Sequence, residues 1–125
     1  MPDCISYIKT AISSHAKVIT DKDKLIPYHR GTEGLERKAN VIAVVKAYEK
    51  KDVESLLLLA NESASQSTLK FTIYPISTGL NWGYGTSQPP RIKANVVILD
   101  LSGLTKIEFD EELGLVTLEP GVSQQ

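Results

Sequence analysis

The feature that most constrains this chain is the loop-like run over residues 75–90. It carries three of the eight glycines (Gly79, Gly83 and Gly85) and closes on two prolines, Pro89 and Pro90. Glycine permits positive φ and leaves no side chain to hold a ligand off the backbone. Successive amide N–H groups in such a loop can face a shared concavity and bind an anion. The hydroxyls of Ser77, Thr78, Thr86 and Ser87 and the amide of Asn81 add donors. The run reads as a phosphate-cradling loop of a nucleotide cofactor site. The alternative is a long glycine-containing surface turn.

Two well-known phosphate loops are excluded. A P-loop ends in Gly-Lys-Ser/Thr, and no such tripeptide occurs in the sequence. A dinucleotide fingerprint spaces its glycines G-x-G-x-x-G and opens directly into a helix whose N-terminus receives the pyrophosphate. Here the spacing is G-x-x-x-G-x-G, and Pro89-Pro90 push the following chain toward extended or turn conformation. Any diphosphate would be held by loop amides and hydroxyls, without a helix dipole.

The pattern around the loop is that of alternating strands and helices. Residues 41–45 form a short apolar, β-branched run, as expected of a strand buried on both faces. Asp52 is expected to cap a helix whose apolar face includes Val53, Leu56, Leu57 and Ala60, ended by the polar string 63–68. Residues 71–75 make a second strand, which should run parallel to the first after a right-handed crossover. The glycine loop then leaves the C-terminal end of a strand, where open α/β sheets tend to bind ligands. Residues 95–101 form a third strand. Residues 107–109 and 115–118, joined by the turn-prone 110–114, are expected to pair as a hairpin.

Before residue 41 the signal is weaker. Ile5, Ile8, Ile12, Ala16 and Ile19 recur at helical spacing and predict a helix over residues 3–19, capped by Asp3, with Lys17 in its last turn. Residues 20–40, polar and holding Pro27, Gly31 and Gly34, read as an irregular connector. His15, without Cys/His partners at metal-site spacing, reads as a surface or core-edge residue. Tyr28, His29 and Arg30 form no recognisable arrangement and take structural or surface roles. Arg91 reads as exposed, and Asp100 as the maker of a turn-shaping hydrogen bond. The fold class expected is α+β, a small mixed β-sheet flanked by helices. Residues 1–40 would contribute the N-terminal helix and connector, and residues 41–125 the cofactor-binding part.

Composition narrows the partners. The 125 residues with 42% hydrophobic content suit one domain with a real core. Fourteen basic and fifteen acidic residues are spread along the chain without a Lys/Arg cluster, which argues against nucleic acid as a partner. No apolar run approaches the roughly 20 residues needed to span a bilayer, and the N-terminus lacks a signal-peptide pattern. Cys4 is the single cysteine, so no internal disulfide forms. A cytoplasmic location is the expectation.

The segment from Ser77 to Gly85 (Ser-x-Gly-x-Asn-x-Gly-Tyr-Gly), the strand Val97, Ile98, Leu99, Asp100, Leu101, and the stretch Glu119, Pro120, Gly121, Val122 together resemble a known family. It is the FAD-binding (PCMH-type) domain of the vanillyl-alcohol oxidase/p-cresol methylhydroxylase flavoproteins, in particular the branch acting on 4-alkylphenols. The resemblance runs from about Ala43 onward. It implies FAD lying extended with its diphosphate on the glycine loop. The matching cofactor-binding positions are Ser77, Thr78, Gly79, Leu80, Asn81, Gly83, Tyr84, Gly85 and Thr86. Pro120, Gly121 and Val122 would approach from a second loop. Trp82 and Tyr84 would either stack on flavin or adenine or anchor the loop on the core.

The family's loop histidine for covalent attachment is missing between Pro75 and Pro90, so attachment would fall beyond Gln125. No catalytic residue and no metal ligand is expected here. Substrate would be bound mainly by a further C-terminal domain, since the sequence reads as stopping short of a helix that Ser123 would cap. Homo-oligomerisation through an exposed edge is a further expectation. The FAD-binding portion of a flavin-dependent oxidoreductase, acting on phenolic or alcohol substrates, is thus the leading reading. The alternatives are a free-standing, non-catalytic nucleotide-binding or protein-interaction module and a molybdenum-hydroxylase-type flavin subunit.

Overall fold

A computed structural model describes residues 3–12, 14–29, 39–79 and 88–123. The first helix, α1 (Cys4–Ala11), starts where Asp3 accepts a 2.7 Å hydrogen bond from the Ser6 amide, as the sequence predicts. It ends sooner than expected, because Ile12 is already extended (φ −85°, ψ 141°). Residues Lys17–Ile19 are a short strand, β1, so Lys17 occupies no helix terminus. Val18 pairs with Val45 across an antiparallel ladder. The helical stripe through Ala16 and Ile19 was therefore misleading: sheet pairing outside the segment overrode a local period. The expected connector also contains order. Asp21 caps the single-turn helix α2 (Lys22–Leu25), which runs into a 3₁₀ turn over Ile26–His29.

The main sheet has four strands in the order β1-β2-β4-β3, where β2 is Val41–Lys46, β3 Thr72–Ile76 and β4 Val96–Asp100. β2 and β3 run parallel, as expected, but they are not neighbours: β4 lies between them, parallel to both. Every residue of β4 is buried, as a central parallel strand covered on both faces requires. The antiparallel β1 makes the sheet mixed, so the α+β class holds.

Side chains alternate across the sheet and define two cores. On one face Val45, Val97 and Leu99 pack with Cys4, Ile8 and Ile12 of the N-terminal segment and with Leu56 and Leu59 of α3 (Lys50–Ser63). On the other, Val44 and Ile98 pack with Leu25, and Tyr28 and Ile76 close over them. α3 begins at Lys50, earlier than expected. Its N-cap is Glu49, and Asp52, in the first turn, folds its carboxylate back onto the Glu49 amide at 3.3 Å. Of its leucines, Leu57 and Leu58 face solvent, so the apolar face is narrower than the sequence suggests.

Beyond β4 the chain makes a separate hairpin, β5 (Ile107–Asp110) with β6 (Leu115–Leu118), antiparallel as predicted. Asp110 Oδ1 accepts from the amides of Glu112 and Leu113, both at 3.0 Å, and Gly114 takes φ +63° to reverse the chain. Among the described residues no helix is long and apolar enough to cross a membrane.

Candidate functional site

The site lies at the carboxyl edge of the parallel strands. The Leu101 amide donates to the Ile76 carbonyl at 2.8 Å, extending the β3–β4 ladder one step past the strand ends. There residues 77–79 leave the sheet, with Gly79 at φ +71°, a conformation that L side chains adopt rarely. Leu80, Asn81, Gly83, Tyr84, Gly85 and Thr86, expected from the sequence to contact the cofactor, lie with Trp82 outside the described residues. The chain is described again at Gln88 and Pro89, both fully buried. Among the described residues between Gln88 and β4 there is no helix. Arg91 is exposed.

A cleft of about 260 Å³ opens at this edge. Ile76 to Gly79 form one wall, Asp100 and Ser102 another, and Pro27 with Tyr28 close one end. The residues flanking the start of the glycine loop are small, and Ser77 and Thr78 are exposed, so their hydroxyls are accessible.

Asp100 organises the second wall. By strand alternation it shares a face with Ile98 and so points toward Tyr28. Its Oδ1 accepts from the Ser102 amide at 2.9 Å, the turn-shaping bond the sequence predicts. Its Oδ2 accepts from the Tyr28 hydroxyl, also at 2.9 Å. Burial, reinforced by this hydrogen bond and the carboxylate charge, pushes the Tyr28 phenol well above its ordinary pKa. Sequence reasoning left Tyr28 out of the site. The contact joins positions 72 residues apart, and no local spacing encodes it.

Pro120, Gly121 and Val122 sit behind this wall. The Gly121 amide donates to the Leu104 carbonyl at 2.8 Å, and the Gly121 α carbon lies so close to the 102–104 turn that no side chain fits. The structure therefore brings Ser77, Thr78 and Gly79 together with Asp100 and Ser102, whereas Pro120, Gly121 and Val122 do not line the cleft and Gly121 packs under the 102–104 turn. Cys4 belongs to the core: its thiol faces the Leu69 carbonyl at 3.5 Å, and burial raises its pKa. Among the described residues no cluster of three or more His, Cys, Asp or Glu side chains is placed to hold a metal ion.

No protein-family model matches the sequence. The chain is 33% identical over 115 residues to the flavoprotein subunit of 4-cresol dehydrogenase (hydroxylating) from Pseudomonas putida, across 90% of this chain and 20% of that one. It is 34% identical over 84 residues to 1'-carboxy-chondrochloren decarboxylase of Chondromyces crocatus, across 66% of this chain and 14% of that one. The crystal structure of p-cresol methylhydroxylase with substrate bound superimposes with a TM-score of 0.74 at 30% identity, over 96% of this chain and 22% of that one. The chain spans about a fifth of the length of the first of these relatives, and less of the second.

Proposed function

Because this chain belongs to the PCMH-type FAD-binding domains of the vanillyl-alcohol oxidase/p-cresol methylhydroxylase flavoprotein family, we propose that its carboxyl-edge cleft and glycine loop hold the diphosphate of FAD. The residues assigned to that contact are Ser77, Thr78, Gly79, Leu80, Asn81, Gly83, Tyr84, Gly85 and Thr86, with Pro120, Gly121 and Val122 behind the facing wall. The observation that carries the reading is the departure of residues 77–79 from the end of β3 into the cleft, with Gly79 at φ +71°.

The residues present suit the group. Small side chains let a diphosphate approach the backbone, where amides and hydroxyls give charge-assisted hydrogen bonds to its oxygens. Asp100 is a carboxylate near an anion site. Both its oxygens accept from protein donors, the Ser102 amide and the Tyr28 hydroxyl, which offsets its charge toward the cleft. When bound, FAD would supply the redox chemistry, acting as hydride and electron acceptor. This chain's part is binding and orientation, and we assign no catalytic residue within it.

For the whole protein, the activity that fits is a flavin-dependent oxidation of a small phenolic or alcohol substrate, held mainly by a domain outside these residues. The name of the Pseudomonas putida relative supports that substrate class. Equilibrium dialysis of this chain against FAD tests the site. Saturable retention that Gly83→Val and Gly85→Val each remove is the expected result, and retention unaltered by both variants would refute the loop assignment.

A further inference from the structure

The Ile26–His29 turn touches the glycine loop at both of its ends. At the departing end, Tyr28 and Ile76 pack on the same small core of Leu25, Val44 and Ile98. Tyr28 also lines the cleft beside residues 77–79 and donates its hydroxyl to Asp100. At the returning end, the buried Gln88 side chain donates from Nε2 to the carbonyl oxygen of His29. The turn is itself fixed. Asp21 caps α2, and Leu25 is driven into the core against Val44 and Ile98. From these contacts we infer that the turn is a clamp on the loop's two feet, and that Tyr28 and Gln88 are positioning residues for the cofactor.

The physical reason is preorganisation. A loop that must converge several amides on one anion loses affinity by whatever ordering it undergoes on binding. Pinning both ends before the ligand arrives reduces that loss. Neither Tyr28 nor Gln88 needs to touch FAD for this. The positioning role rests on the proposed FAD site, whereas the tethering of the feet does not.

The test therefore has two arms, run on this chain with Tyr28→Phe and Gln88→Met. Tyr28→Phe keeps the ring and removes only the hydroxyl. In amide hydrogen exchange, each variant should speed exchange roughly fivefold in peptides covering residues 76–79 and 88–92, the size expected for one lost hydrogen bond, and leave α3 unchanged. Unchanged exchange at the feet, or a rise shared equally by α3, would overturn the clamp. In FAD titration, each variant should weaken affinity roughly fivefold, and ADP affinity should fall in parallel. Wild-type affinity in both variants would overturn the positioning role. A wild-type chain that binds no FAD would instead overturn the proposed function, and the exchange arm would still judge the clamp.

Discussion

A β carbon added at Gly121 would stand 2.5 Å from the carbonyl oxygen of Ser102, and the Leu104 carbonyl would be almost as close at 2.6 Å. Both obstacles are backbone atoms, so a rotamer change cannot relieve the clash. The turn that carries Ser102 into the cleft is thus seated directly on Gly121. Gly121→Ala should destabilise the fold by about 1–3 kcal/mol through overpacking and should also weaken FAD binding by displacing the cleft wall. Urea unfolding and FAD titration of the variant check the two effects. A stability equal to wild type would show that the turn has room the structure denies it.

The core makes a sharper contrast within one helix. Leu56 is fully buried between α3 and the sheet, whereas Leu58 is 63% exposed. Leu56→Ala should cost about 2–5 kcal/mol, the usual range for a buried leucine truncated to alanine. Leu58→Ala should stay within about 0.5 kcal/mol of wild type. Urea midpoints at constant m-value measure both.

This helix and its neighbours show what was legible in the sequence. Asp3 as a cap, the 41–45 strand, the parallel relation of β2 and β3, and the 107–118 hairpin all follow from local signals: cap chemistry, apolar runs and turn residues. The strand at Lys17–Ile19 was not legible, because its three residues continue a helical stripe and become a strand only by pairing with β2. Local pattern points to Asp52 as the cap of α3, yet it is the residue whose carboxylate folds back onto the cap, Glu49. In the site, Asp100 could be read locally because its bond to the Ser102 amide spans two residues. Its bond to Tyr28 spans 72 and could not.

The Tyr28–Asp100 contact also has a pH signature. The folded-state pKa of Tyr28 is raised by burial above the ordinary tyrosine value near 10.0. Below about pH 10 the phenol keeps its proton in both states and its contribution is fully present. As pH rises further, the unfolded chain loses that proton while the folded chain retains it, so stability falls. Urea midpoints measured from about pH 8 to about pH 11 should therefore drop more steeply for wild type than for Tyr28→Phe. Parallel curves would contradict the burial of the hydroxyl.

The hairpin offers a fourth expectation. Ile107 faces Leu118 and Phe109 faces Val116 across one side of it, and all four are more than half exposed. Such an uncovered apolar face favours association. Phe109→Ser should reduce self-association of this chain in sedimentation velocity at high concentration, while costing less than about 1 kcal/mol of stability, since one cross-strand pair is weakened. A wild-type chain that stays monomeric under those conditions would remove the expectation.

The most direct test of the account is a calorimetric titration of this chain with FAD, with ADP and FMN in parallel. The account predicts saturable FAD binding that ADP reproduces in part and FMN does not, because the proposed loop and cleft would hold the diphosphate of the dinucleotide. Equal binding of FMN and FAD with no response to ADP would contradict it, since recognition would then rest on the flavin ring and not on the glycine loop.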